Sequence, residues 1–300
     1  MAFTVPDPLV SPTLRALGFN KPFLDAEAAR QHVRACALRP QPYAPGKRIR
    51  RDVVIDVDRL EGWPVYQVMP TDASSTGVVI FAHGGGWVNE MSFIHWNFVT
   101  ALVAEAQVTV IVPIYPLIPF GHAAEVVDRF VEIVRDARAR HPRTAIAGDS
   151  AGGQIAFSAA LELRDRHGIT LDDTILISPV VDARLENPGI EELLPRDPLL
   201  GVDGTRVFID LWRGELSVTD QRVSPLLGDL QGLGPVLLFT GTEEILAPDI
   251  RLLAERLTAA GVPVEFHEAP GQIHDYPLWP VKAAQGARDV MVERLRASPP

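Results

Sequence analysis

The residues best suited to chemistry lie in two glycine-framed strings. Gly148-Asp149-Ser150-Ala151-Gly152 closes an apolar run, Thr144–Gly148, and opens a helical pattern, Ala151–His167. A strand–turn–helix order sets such a serine on a sharp turn, and glycines two positions away on either side remove side chains that would collide there. Ser150 is therefore a candidate nucleophile. By itself the pattern arises by chance in roughly a tenth of chains this long. His83-Gly84-Gly85-Gly86-Trp87 adds weight, because it follows another apolar run, Gly77–Ala82, and is expected by chance in only about one such chain in 500. Consecutive glycines let backbone N–H groups converge on an anion, as a charge developing on a tetrahedral carbon requires. A phosphate-cradling loop is the competing use, but neither G-x-G-x-x-G nor G-x-x-x-x-G-K-[ST] occurs.

A serine hydroxyl attacks only when a base takes its proton, and the base needs an acid to orient it. In this strand–serine–helix arrangement both follow the serine along the chain. Of the three later histidines, His167 ends a helical pattern before Gly168, where the helix dipole accounts for it. His267 falls within the strand-like run Pro263–Glu268. His274 lies in the loop Gly271–Asp275 beyond that run, free to reach over a sheet edge, and is the candidate base. The acid is expected just after the run Pro235–Thr240, where Glu243, Glu244 and Asp249 stand. Asp249 suits the first turn of the next helix. Glu243 and Glu244 are adjacent, so one points inward, and spacing does not choose between them. The histidines form neither H-x-x-x-H nor H-E-x-x-H, so no metal site is expected. Trp87, Met91 and Trp96 (with Phe93 between them) follow the glycine string, and Phe208, Leu211 and Trp212 occur later. They are candidates for an apolar pocket, with plain core packing as the alternative for each.

These residues need a frame. Arg48–Val57 and Trp63–Met69 read as an opening strand pair; Gly77–Ala82, Thr109–Tyr115, Thr144–Gly148, Thr174–Pro179, Pro235–Thr240 and Pro263–Glu268 are short β-branched runs bounded by Gly, Pro or Asp. Amphipathic stretches lie between them, among them Ala124–Arg138 and Pro248–Ala260, and Val281–Arg296 closes the chain. Eight strands alternating with helices predict an α/β chain, a doubly wound, mostly parallel sheet covered on both faces. Residues 1–45, with two short helices separated by Asn20-Lys21-Pro22, and residues 183–232 break the rhythm. They read as a helical cap over a catalytic domain of residues 46–182 and 233–300, at the sheet edge where open α/β folds bind ligands.

With its motifs in this order, the chain resembles the bacterial hormone-sensitive-lipase-like carboxylesterases of the α/β-hydrolase fold. Their HGGGW and GDSAGG strings stand here as His83–Trp87 and Gly148–Gly153. The likeness continues through Ser178-Pro179-Val180-Val181-Asp182, Ser224–Leu230, Gly241–Leu246 and Gly271–His274, covering roughly residues 77 to 280. It implies a serine carboxylesterase acting without a cofactor on small, neutral esters of short or medium acyl chain, through an acyl-enzyme on Ser150. The family's acid, fourth in its G-x-x-D-x-L segment, falls on Glu244, and its oxyanion donors fall on the backbone N–H groups of Gly85, Gly86 and Ala151. Two departures stand out. The acid is usually Asp, so Glu244 adds a methylene, which the loop can absorb. The family's Tyr-Arg-Leu-Ala-Pro-Glu is Tyr115-Pro116-Leu117-Ile118-Pro119-Phe120 here, without the ion-pairing Arg and Glu. A lactonase, amidase or deacetylase would use the same residues. A non-catalytic binding protein is a further reading, as in plant gibberellin receptors, which resemble these esterases but lack the catalytic histidine.

Composition narrows the partners. The net charge is −10, which disfavours phosphate backbones and anionic lipid surfaces, so neither nucleic acid nor membrane is an expected partner. Hydrophobic residues at 47% and charged residues at 22% suit a packed globular chain. Cys36 is the only cysteine, which excludes an intrachain disulfide and suits a reducing compartment. The stretch Met1–Pro8 lacks a basic and apolar leader pattern, and Val108–Phe120 is broken by Pro113, Pro116 and Pro119. A cytoplasmic protein, monomeric or paired through an edge strand as a homodimer, is the expectation.

Overall fold

In the computed structural model, residues 7–18, 20–46, 50–71 and 75–297 are described. The β-branched runs form one eight-stranded sheet: β1 Val53–Leu60, β2 Trp63–Pro70, β3 Val78–Ala82, β4 Thr109–Pro113, β5 Thr144–Asp149, β6 Asp173–Ile177, β7 Val236–Gly241 and β8 Val264–Ala269. Their spatial order is β1-β2-β4-β3-β5-β6-β7-β8, antiparallel at the first two junctions and parallel thereafter. Strands β3 to β7 are buried along their whole length, as helices on both faces demand. The opening strand starts at Val53 rather than Arg48, which lies outside the described residues. It runs on to Leu60, where Glu61 and Gly62 turn the chain with positive φ.

Ten helices are described: α1 Asp7–Leu17, α2 Lys21–Leu24, α3 Ala26–Leu38, α4 Phe93–Ala106, α5 Ala123–Arg140, α6 Ser150–His167, α7 Gly189–Leu193, α8 Val202–Trp212, α9 Ala247–Ala259 and α10 Lys282–Arg296. One core layer joins α5, α6 and α9 to the sheet and continues into α8 and α3. The opposite layer is built by α4 and α10. The expected break at Asn20-Lys21-Pro22 is itself the start of α2, so the described residues of the N-terminal segment form three helices, not two. Proline satisfies the first helical turn, where its missing N–H has no intrahelical acceptor to lose.

Helices α2 and α3 pack on α8. Phe23 meets Phe208 edge to face at 5.4 Å. A Cβ on Gly204 would fall 2.1 Å from the Pro22 carbonyl oxygen, so only glycine permits this approach. The carboxyl ends of β3, β5, β6 and β7 thereby face residues from several segments distant in sequence.

Candidate active site

β5 ends at Asp149 and α6 begins at Ser150 with no residue between them. The turn forces Ser150 to φ +51°, a left-handed conformation that is strained for a side-chain-bearing residue. The flanking glycines are explained by contact. A Cβ on Gly148 would lie 2.4 Å from the Gly152 carbonyl oxygen, and one on Gly152 would lie 2.1 Å from that of Ala82. Gly152→Ala must therefore push α6 away from β3, an overpacking worth about 1–3 kcal/mol. Thermal unfolding should show Tm lower by several degrees; an unchanged Tm would contradict this contact.

Around the elbow, three side chains from three connections meet. His274 Nε2 lies 2.8 Å from Ser150 Oγ, and His274 Nδ1 lies 2.5 Å from Glu244 Oε2. All three residues are buried. With Nδ1–H donated to the carboxylate, Nε2 is left to accept from the serine hydroxyl. The other carboxylate oxygen, Glu244 Oε1, accepts from Thr240 Oγ1 at 2.6 Å, Ser178 Oγ at 2.7 Å and the Gly241 N–H at 2.9 Å. Burial opposes charge on Glu244, but His274 and these donors outweigh it and hold the carboxyl below its ordinary range. For His274 burial favours the neutral ring, yet the neighbouring carboxylates of Asp275 and Glu244 prevail and hold the imidazole well above its usual value.

The other candidates are accounted for elsewhere. Glu243 pairs with Arg196, which lowers its carboxyl, and Asp249 accepts from Asn187 Nδ2 at 2.8 Å. His267 lies on β8, stacked on Phe239 and 2.8 Å from Glu265. His167 sits in the last turn of α6, before the left-handed Gly168.

The glycine string forms a loop pinned from both sides. The Gly84 N–H donates to Asp149 Oδ1 at 3.0 Å, and a Cβ at Gly84 would fall 2.2 Å from Asp149 Oδ2. Gly85 (φ +113°) and Gly86 (φ +64°) need conformations that glycine supplies freely. The Gly85 carbonyl is drawn back by the N–H and side-chain amide of Asn89, at 3.0 and 3.1 Å. His83 stacks on Tyr115 at 4.5 Å, and the Tyr115 hydroxyl donates to the His83 carbonyl at 2.7 Å. Ala151 lies in the first turn of α6, where a helix N–H has no intrahelical acceptor.

The apolar candidates divide between the two layers. Trp87 and Trp212 stack at 5.6 Å, and both indoles donate to Gln154 Oε1, at 3.1 and 2.9 Å. Phe208 is buried beside them. A Cβ on Gly86 would lie 3.0 Å from Phe23 and 3.5 Å from Phe208, so these rings close over the glycine loop. Met91 and Trp96 belong instead to the opposite layer. Trp96 donates to the Tyr43 carbonyl at 2.8 Å and meets Tyr66 edge-on at 5.1 Å. The chain crosses to the α4 face after Trp87, which sets both residues in the layer opposite Trp87 and Phe208. Leu211 is 36% exposed, on the outer side of α8, and Phe93 is 74% exposed. Sequence reasoning missed Phe23, Gln154, Ser178 and Asp275. Only Asp275, adjacent to the candidate base, and Ser178, closing an apolar run before proline, carried a readable signal.

Among the described residues no group of His, Cys, Asp and Glu could hold a metal ion, and no helix is long and apolar enough to cross a membrane. Residues 79–278 match a family model described as alpha/beta hydrolase fold. Carboxylesterase NlhH of Mycobacterium tuberculosis is 30% identical over 295 residues, covering 91% of this chain and 90% of the relative. A triacylglycerol lipase of the same organism is 32% identical over 222 residues, 73% of this chain; the match spans only 46% of that longer protein. A solved structure of a putative esterase from Staphylococcus aureus superposes with a TM-score of 0.86 at 22% identity, covering 91% of this chain and 93% of the other. The chain thus belongs to the alpha/beta hydrolase fold family, and a solved esterase from the bacterial hormone-sensitive lipase family shares its fold, with a TM-score of 0.78 at 24% identity over 89% of this chain and 95% of the other.

Proposed function

We propose that this protein is a serine carboxylesterase for small, neutral esters of short or medium acyl chain. The observation that carries the reading is the unbroken line from Ser150 Oγ through the His274 ring to Glu244. In the first step His274 Nε2 takes the proton of Ser150 as the hydroxyl attacks the ester carbonyl. The oxyanion is received by the backbone N–H groups of Gly85, Gly86 and Ala151. The imidazolium, held by Glu244, protonates the leaving alcohol. Water then enters, gives a proton to the same ring nitrogen and releases the acid. Residues 1–45 and 183–232 act as a cap over the catalytic part formed by residues 46–182 and 233–300. Phe23 and Phe208 roof the reacting ester, with Trp87 and Trp212 behind them, an apolar setting that favours uncharged substrates.

A series of p-nitrophenyl esters of increasing acyl length tests this. Turnover should be highest on short and medium chains and fall steeply on long ones, with emulsified triglyceride left untouched. Ester inertness across the whole series, alongside cleavage of lactones, amides or acetylated sugars, would reassign the substrate class while keeping the same residues. Full activity in EDTA is also expected, since no step uses a metal.

A further inference from the structure

The proposed base has a second carboxylate at its reactive nitrogen. Asp275 Oδ2 lies 3.1 Å from His274 Nε2, the atom that also faces Ser150 Oγ at 2.8 Å. Asp275 is locked there. Its backbone is left-handed, φ +56° and ψ +30°, and its N–H donates at 3.0 Å to Ser178 Oγ, the hydroxyl that donates to Glu244. One serine thus fixes both acids that address the ring. The other carboxylate oxygen, Asp275 Oδ1, is buried with no hydrogen-bond partner among the described residues.

We propose that Asp275 is a positioning residue that competes with Ser150 for the Nε2 proton of His274 and thereby sets the pH above which the base can accept the serine proton. This rests on the esterase reading above. At low pH the proton resides on Nε2 and is shared with Asp275 Oδ2. Once it leaves to solvent, the Nε2 lone pair accepts from Ser150 Oγ–H. During attack the serine proton moves to Nε2, and the imidazolium is then flanked by Glu244 at Nδ1 and Asp275 at Nε2 until the proton passes to the leaving alcohol.

The surrounding groups act in both senses. Burial, and repulsion from Asp149, push the Asp275 carboxyl up to about 7 against the pull of His274. Asp149, ending β5, is 3.2 Å from His95 Nε2 on α4, and it raises that imidazole against the effect of burial. His83, beyond β3, is held neutral by burial and by His95, its value lowered to about 4. Asp197, before α8, is raised to about 6 by burial, while its oxygens accept the N–H groups of Leu199, Leu200 and Ile245. Glu244 faces the other ring nitrogen. Of these groups, Asp275 alone touches Nε2.

The test is the pH profile of kcat/KM for a short p-nitrophenyl ester, together with the pH dependence of fluorophosphonate labelling of Ser150. Each is measured in wild type, Asp275→Asn and Asp275→Gly, substitutions that both suit a left-handed backbone. A negative charge at this distance favours the imidazolium, so its removal should move the acid limb down by about one to three pH units in both measurements. The wild-type limb itself should lie above about 6.5, the ordinary imidazole value. An unmoved limb in the variants, or a wild-type limb below that value, overturns the role of Asp275 while leaving Ser150 as nucleophile. Absence of labelling at Ser150 at every pH would overturn the esterase reading, and this role with it.

Discussion

Ser150→Ala is expected to lower kcat for a p-nitrophenyl acyl ester by at least about 10⁴-fold. In the proposed mechanism the substitution removes the oxygen that would form the acyl-enzyme and leaves only binding and the glycine loop to act on water, and a triad without its nucleophile retains little beyond that contribution. Alanine has no hydroxyl to satisfy, and the left-handed φ is already imposed by the β5–α6 junction. Tm should therefore stay within a degree or two of wild type, which separates loss of chemistry from loss of fold. Hydrolysis near the wild-type rate by a folded Ser150→Ala protein would remove residue 150 from the mechanism.

The second large effect concerns the acid. Glu244→Gln keeps the size of the side chain but cannot hold the same ring tautomer, because an amide can donate to Nδ1 as well as accept from it. A loss of about 10³–10⁴-fold in kcat follows from the comparable change in other triads. Glu244→Ala should be as damaging and also less stable, since Ser178, Thr240 and the Gly241 N–H would lose their shared acceptor in a buried place. Glu243→Ala removes a partly exposed pair with Arg196 and should change activity less than about threefold. Kinetics of the three variants decide the matter: a larger loss of activity in Glu243→Ala than in Glu244→Ala would transfer the role to Glu243.

That choice illustrates what was legible in the chain. The elbow serine, the glycine string and a histidine after the last strand could be read because each obeys a local rule of backbone geometry. Which of two adjacent glutamates turns inward was not readable from residue types, because the answer depends on Arg196, 47 positions away. The buried strands were visible as β-branched runs, with boundaries off by one or two residues in most cases. Helix α4 left no amphipathic trace. Trp96, Phe98, Val99, Leu102 and Val103 form its buried face, but Phe93, Ile94, Ala101 and Ala104 make the opposite face apolar as well, so the periodic contrast that reveals a surface helix is missing. The same blindness grouped Met91 and Trp96 with Trp87, since proximity in sequence says nothing about which sheet face the chain will take next.

Gln154 uses all its hydrogen-bonding capacity in holding two parts of the molecule together. Its oxygen accepts both indoles, and its amide nitrogen donates to Ser158 Oγ at 2.9 Å and to the Arg222 carbonyl at 2.7 Å. Anyone enlarging the proposed acyl site for bulkier acids by trimming Trp87 or Trp212 thus meets a hidden penalty beyond lost contact area. Each truncation strips Gln154 Oε1 of one of its two donors in a dry interior. Phe23 and Phe208 are the better places to begin such redesign, because neither ring carries a polar atom whose partner would be stranded.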